Sequence, residues 1–400
     1  DPENENLLFL GTDDGLYISI NAGEKWTKWT EGFPTVPVKD LVIHPRENDL
    51  IIGTFGRAAW VLDDIRPLRA IANGNVTSNK LALFSPPTAY QTASQQPTGS
   101  RFGGDAMYQG ENRKRGAIIS YYINKPEEKE KKEIKDEKLD KEDSIDAKKY
   151  DSIKLEIFDG ERQIRTFKLK TPKENGIHKT TWYLREKGVA RASRTIRKSK
   201  SEPGGVSVKP GTYKLRMTFG DAVSEQNIKV EFDPRLQISN EAINQKYIAS
   251  KELEGYQEKI AGIVKQLVES KNAATSIKAQ LSKEGKKKYK TEIKASTEII
   301  KEIDTLIALY LGKVDKRQGI TRNPEITVNL RFGQASRYIR SRFGEQTTTE
   351  TVLMNQFKET FKQAVFETNS FFNKEWLNYK SSTEKIYISP FKETKIYSIK

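Results

Sequence analysis

The chain contains no cysteine and only two histidines, His44 and His178. Without cysteine there is no disulfide, thiolate nucleophile, zinc–thiolate site or iron–sulfur cluster. Two histidines leave almost nothing for a multi-histidine metal site, and the expectation is neither metal nor cofactor. No apolar run approaches the roughly 18 residues of a membrane span, and the first residues do not read as a signal peptide. The sequence opens at Asp1 rather than Met, so a processed product or a fragment is expected. Its 400 residues are 36% hydrophobic and 31% charged, enough for real cores and, at roughly 100–200 residues each, for two to four domains.

Lys and Arg number 69 against 54 Asp and Glu, a net charge of +15. Such an excess can mark a polyanion partner or simply a solvated lysine-rich surface. Residues 126–149 hold 8 Lys against 10 acids and read as a disordered, charged loop. The excess lies elsewhere. Residues 185–200 carry a net +6, residues 283–294 a net +4, and Arg331, Arg337, Arg340 and Arg342 follow without an acid between them. No nucleic-acid motif accompanies these patches. Arg191, Arg194, Arg197 and Lys198 are the candidates for holding an anion.

The most informative pattern is a repeat within residues 1–65. Asn6-Leu7-Leu8-Phe9-Leu10-Gly11-Thr12 is echoed 42 residues later by Asn48-Asp49-Leu50-Ile51-Ile52-Gly53-Thr54. Each unit reads as a turn, a buried strand, a Gly-Thr turn and a second apolar strand. A period of about 40–45 residues with short strands is a propeller-blade signature. The first unit continues as Ser19-Ile20-Asn21-Ala22-Gly23-Glu24-Lys25-Trp26, close to the Asp-box Ser-x-Asp-x-Gly-x-x-Trp with Asn21 in the Asp position. Ser19 and Asn21 are expected to hydrogen-bond the turn backbone, Gly23 to supply a left-handed conformation and Trp26 to pack between blades. Two repeats cannot close a ring that needs at least about four blades. The remaining blades are expected from upstream sequence or another polypeptide.

These stretches carry a resemblance. DPENENLLFLGTDDGLYISINAGEKW and VPVKDLVIHPRENDLIIGTFGRAAWVLDDIRPL resemble the end of sortilin-like, Asp-box (BNR) propeller proteins. FGGDAMYQGENRKRGAIISYYI, HKTTWYLR and KPGTYKLRMTFG are similar to the immunoglobulin-like module that follows the propeller in that family. The resemblance is strongest over residues 1–70 and weak beyond 235. It implies an exported bacterial protein, periplasmic, outer-membrane-associated or extracellular. The family often carries a glycosyl-hydrolase label, although fold does not fix function. One departure stands out: Phe55 and Ala58 replace the His and the last Gly of the family's Gly-Thr-His-Gly-Arg-Gly.

Residues 66–80 read as a linker. Period-two runs at 116–123, 152–158, 163–169, 179–184, 211–219 and 226–232 predict an Ig-like β-sandwich over 81–233. Asp159-Gly160 is expected to form a hairpin turn. Residues 94–115, with Asp105, Tyr108 and Glu111, form a polar loop that either straps the sandwich or meets a partner or a metal. From 234 to 384 the period turns helical. Tyr256, Ile260, Val264 and Leu267 mark one stripe, and Ile300, Ile303, Ile307 and Tyr310 another, ended by Gly312. Pro324 opens a third helix, and Phe357, Phe361, Phe372 and Trp376 stripe a fourth, giving an antiparallel helical bundle. Residues 385–400 read as an extended tail. The fold class expected is therefore multi-domain α+β: partial propeller blades, a sandwich and a bundle.

Catalytic machinery is scarce. Neither histidine sits beside a nucleophile motif, and no phosphate-binding loop has the required spacing. Glycoside hydrolysis needs two facing carboxylates, for which Asp13, Asp14, Asp63 and Asp64, all near blade turns, are the candidates. The reading that results is a secreted or surface-associated binding or scaffold protein, recognising a protein, peptide or glycan or docking in a larger assembly. The alternative is a glycoside hydrolase whose paired carboxylates belong to a complete propeller.

Overall fold

The computed structural model describes residues 1–74, 76–92, 113–126, 150–196, 201–314, 325–341 and 343–386. The chain is mixed α and β, β-rich through residue 232 and helical from residue 240. It divides into two compact units. One comprises 1–187 and 207–237, the other 188–206 and 238–400.

In the first unit, β1 (Leu8–Thr12), β2 (Gly15–Ser19) and β3 (Thr27–Lys28) form an antiparallel three-stranded sheet. A second such sheet follows from β4 (Val38–Ile43), β5 (Leu50–Thr54) and β6 (Ala59–Leu62). The two halves of the sequence repeat thus fold alike. In each, the Gly-Thr threonine closes the following turn: Thr12 Oγ1 donates to the Gly15 carbonyl at 3.1 Å, and Thr54 Oγ1 to that of Ala58 at 2.5 Å. Leu16, Val38, Leu50, Ile52 and Ile65 are buried in one core shared by both sheets. Helix α1 (Arg66–Ala72), inside the segment read as a linker, covers Leu7 and Ile18 through Ala72 and Leu68.

The rest of this unit is built from two further sheets. The first comprises β7 (Leu81–Leu83), β9 (Ala117–Ile123) and β12 (Gly176–Trp182). The second has the order β11-β10-β15-β16-β8, made of β8 (Ala89–Gln91), β10 (Ser152–Asp159), β11 (Arg162–Lys170), β15 (Gly211–Phe219) and β16 (Ala222–Phe232). Strand alternation drives their packing. Tyr213, Leu215, Met217 and Phe219 face inward at every second position of β15 and meet Ile119, Tyr121 and Trp182 from the other sheet in one core. The short strand β13 (Arg185–Lys187) closes this stretch, and β14 (Gly204–Ser207) follows where the chain passes back from the second unit into the first.

The β10–β11 turn falls one residue later than the sequence suggests. Asp159 pairs with Arg162, so Gly160 and Glu161 are the loop. Gly160 has φ +59° and Glu161 does not share the left-handed region, so glycine takes the first loop position. The β15–β16 turn repeats the device with Gly220, where a Cβ would collide with the Tyr150 ring at 2.2 Å.

In the second unit, α2 (Asn240–Gly285) and α3 (Lys290–Leu311) pack against each other, and α4 (Val328–Ser341) packs against α5 (Thr348–Phe371). A π-helical turn over Phe372–Trp376 leads into α6 (Leu377–Thr383). Ser239 caps α2 through Ala242 N–H at 3.1 Å, and Thr347 with Glu350 forms a capping box on α5. The apolar stripes meet in one core, with Phe357 fully buried and ringed by Tyr256, Phe332 and Phe361 at 5.1–5.9 Å between ring centres. Residues 188–206, which the sequence reading keeps within 81–233, group with these helices. Gln257 Nε2 donates to the Val189 carbonyl at 3.2 Å, and Ala192 packs on the helical core. Pro324, most of the charged 126–149 stretch, Asp105, Tyr108, Glu111 and Arg342 lie outside the described residues, as does the tail beyond 386.

Candidate functional site

The Asp-box-like turn closes on itself. Ser19 Oγ donates to Asn21 Oδ1 at 2.9 Å and accepts from Gly23 N–H at 2.9 Å. Asn21 Oδ1 also accepts from Lys25 N–H at 2.9 Å. Gly23 has φ +92°. Asn21 therefore supplies the acceptor oxygen that an Asp would, and the side-chain hydrogen bonds of Ser19 and Asn21 stay within the turn. Trp26, expected between blades, is 38% exposed and lies against Gly23. It precedes the two paired residues of β3 and so falls outside the ladder. Trp29 enters the core in its place.

The four acids proposed as carboxylate candidates do different work. Asp13 pairs with Lys39 at 2.6 Å and Asp14 with Lys28 at 2.7 Å. The Lys28 hydrogen bond, joined by one from Tyr17, holds the Asp14 carboxyl below its ordinary pKa. A glycosidase general acid needs the opposite shift. Asp63 is half-buried, and its main-chain carbonyl accepts from Lys179 Nζ at 2.8 Å. Asp64 is buried with φ +59°. Its Oδ1 accepts from Arg66 Nε at 2.5 Å, its N–H donates to Asp49 Oδ1 at 2.9 Å, and its Oδ2 has no partner. It locks the turn into α1 rather than facing a cleft.

The basic candidates are likewise separated by role. Arg191 is exposed. Arg194 is half-buried and its guanidinium donates to the Gly312 carbonyl just past α3, where a cation meets the negative end of the helix. Arg197 and Lys198 lie outside the described residues. A cleft of about 370 Å³ opens beside Arg194, lined also by Lys271, Asp304 and Lys313. Its cations are engaged: Lys271 pairs with Asp304 at 2.6 Å and Lys313 with Glu325 at 2.8 Å. Both histidines act on backbone. His44 Nδ1 accepts from Arg46 and Glu47 N–H, and His178 Nε2 lies 2.9 Å from the Glu174 carbonyl. Among the described residues no three His, Asp or Glu side chains gather as a metal would require.

Two features carried no sequence signal. Arg69, buried in α1, ties Asp1 through two nitrogens at 2.8–3.0 Å, Glu3 at 2.8 Å and Asn48 at 2.6 Å. It joins the entry to the first sheet with the turn before β5. The second feature is an open sheet face. Val42 stands opposite Ile51, and Ile51 opposite Val61, across β4, β5 and β6. Val42 and Val61 are 50% and 57% exposed. The other face of the same sheet, Leu50 and Ile52, is buried. Leu10 on β1 and Phe55 in the β5–β6 turn add exposed apolar surface, Phe55 at 72%. This surface, not a carboxylate pair, is the candidate functional site. Phe55 is thus an exposed apolar ring. Among the described residues no helix is long and apolar enough to cross a membrane.

No family model, curated protein or solved structure matches this chain.

Proposed function

We propose that the chain is a binding and scaffold protein, the C-terminal portion of a sortilin-like Asp-box propeller protein. Its two N-terminal sheets would be the last blades, the paired sheets that follow an Ig-like sandwich, and the helices an antiparallel bundle. One observation carries the reading: the apolar row Val42–Ile51–Val61, half-buried at Ile51 and exposed at both flanks, lies on a sheet whose other face is buried. A contiguous apolar sheet face is what a neighbouring blade or a binding partner covers. Two sheets also leave a ring unclosed. The further blades would come from additional sequence of the same protein or from a second chain, and the completed surface would recognise a protein, peptide or glycan outside the cytoplasm.

Glycoside hydrolysis has less support, because Asp13 and Asp14 are each neutralised by a lysine and Asp64 by Arg66. Hydroxyl-radical footprinting of the intact exported protein tests the proposal. The side chains of the row should be protected there, and Ile51 should become reactive in a Val42→Asp/Val61→Asp variant, which should also lose its co-purifying blades or partner. A row as open in the intact protein as in the isolated chain would refute the docking role. Turnover of any glycan in a broad panel, lost in Asp13→Asn or Asp14→Asn, would replace it with the hydrolase.

A further inference from the structure

The turn between α2 and α3 gathers Lys283, Lys286, Lys287, Lys288 and Lys290, all exposed. Glu284 and Glu292 are the acids beside them in sequence, and among the described residues none of the five lysines forms an ion pair. The same two helices behave differently away from their tip. Lys265 pairs with Glu269 at 3.7 Å, Lys271 with Asp304 at 2.6 Å and Lys294 with Glu298 at 3.8 Å. Lys259, Lys278 and Lys301 on the same helices also lack an ion pair among the described residues, but they stand singly, whereas the tip crowds five lysines within eight positions. The cluster is costly to the fold itself, since like charges crowd a tight turn and the negative end of α2 offsets only part of their repulsion. Half-buried Tyr289 sits among them, with Lys288 Nζ 4.9 Å from its ring centre.

We propose that this hairpin tip is a docking surface for the anionic headgroups of a lipid membrane. Uncompensated lysines are attracted to such a surface by about fivefold in partition each, falling off within a Debye length. Long lysine stems can lie along the interface while their ammonium groups reach phosphate, and a tyrosine suits the boundary between water and lipid. The tip is the turn of a helical hairpin, and its basic residues are all lysines. Nucleic-acid surfaces favour arginine forks and a groove or stacking platform, which the tip does not present. The inference stands apart from the blade reading, because it rests on α2 and α3 alone.

Co-sedimentation of the full chain with phosphatidylcholine vesicles, with and without phosphatidylserine, tests it. Binding should require phosphatidylserine and weaken as salt rises. Lys286→Glu/Lys287→Glu/Lys288→Glu should lower the partition at least about a hundredfold. Lys168→Glu/Lys170→Glu/Lys173→Glu, exposed in and just after β11 and equal in charge change, should leave most of it. Should the reversed tip lower thermal stability, the neutral Lys286→Gln/Lys287→Gln/Lys288→Gln variant carries the comparison, with a smaller loss in the same direction. Binding indifferent to phosphatidylserine, equal losses in the two Glu triples, or release from vesicles by duplex DNA at equal phosphate would each overturn the proposal.

Discussion

A methyl group placed on Gly11 distinguishes the two halves of the repeat. Gly11 and Gly53 hold equivalent positions in β1 and β5, each followed by Thr, and neither lies in the left-handed region. Backbone strain therefore cancels, and only space separates them. A Cβ on Gly11 would lie 2.6 Å from Val38 Cγ1 and 3.1 Å from the Val38 carbonyl oxygen. Val38 is 5% exposed in the shared core and flanks the register shift of β4, so it has no free direction in which to yield. On Gly53 the nearest atom would be Asp40 Cβ at 3.5 Å, an ordinary contact. Overpacking of this kind costs about 1–3 kcal/mol. Gly53→Ala should instead be neutral or gain about 0.4–1 kcal/mol from a stiffer unfolded chain. In a unit of this size each kcal/mol shifts the melting temperature by about 2–4 °C. Hydrogen exchange of the β1–β6 amides, with calorimetry, reads this unit apart from the helices. Gly11→Ala should lower protection across both sheets, and adding Val38→Ala should restore part of it, with a coupling of about 0.5–3 kcal/mol. Equal effects of the two alanines, or no coupling to Val38, would refute the close-approach argument.

Three more expectations follow from the geometry. Asn21→Ala removes the acceptor of both Ser19 and Lys25 and should cost about 1 kcal/mol, whereas Asn21→Asp should not, as urea unfolding of each would reveal. Asp221 accepts from the Tyr150 hydroxyl at 2.8 Å, with Lys80 also in contact, and its carboxyl is lowered from 3.8 to about 2. Its stabilising contribution is thus present above about pH 4 and lost as pH falls toward 2. The melting difference between wild type and Asp221→Asn should shrink over that window, and a constant difference would contradict it. Phe357→Ala removes a fully buried ring and should cost about 3–5 kcal/mol, melting the helical core while amides of β15 and β16 keep their protection.

Where a signal was local, reading residues in order reached the structure. The alternation of Tyr213, Leu215, Met217 and Phe219 sets one face of β15, and the Ile300, Ile303, Ile307 spacing sets one stripe of α3. The Ser19-x-Asn21-x-Gly23 turn was equally legible, because its partners lie within six residues of one another. Trp26 stands outside the ladder, because whether a residue after a turn enters it depends on the register of β2 with β3, which spacing does not specify. Arg194 reads as an anion-binding candidate, yet its guanidinium donates to a carbonyl at a helix end 118 residues away. The carboxylates of Asp13 and Asp64 look alike in sequence, but Lys39 meets one across two strands and burial encloses the other.

The sequence by itself determined the absence of thiol chemistry, the repeat of strand pairs, the switch from period two to a helical period and the crowding of lysines at one turn. These are properties of neighbours along the chain, where composition and side-chain spacing act directly on local conformation. Only the tertiary structure decided which of those residues are spent on the fold and which remain available. It closed Arg69 around Asp1, engaged Asp13, Asp14 and Arg194, buried one face of β4–β6 and left Val42, Ile51 and Val61 on the other. Such outcomes turn on partners many residues apart, whose meeting depends on how sheets and helices pack rather than on any pattern in the chain.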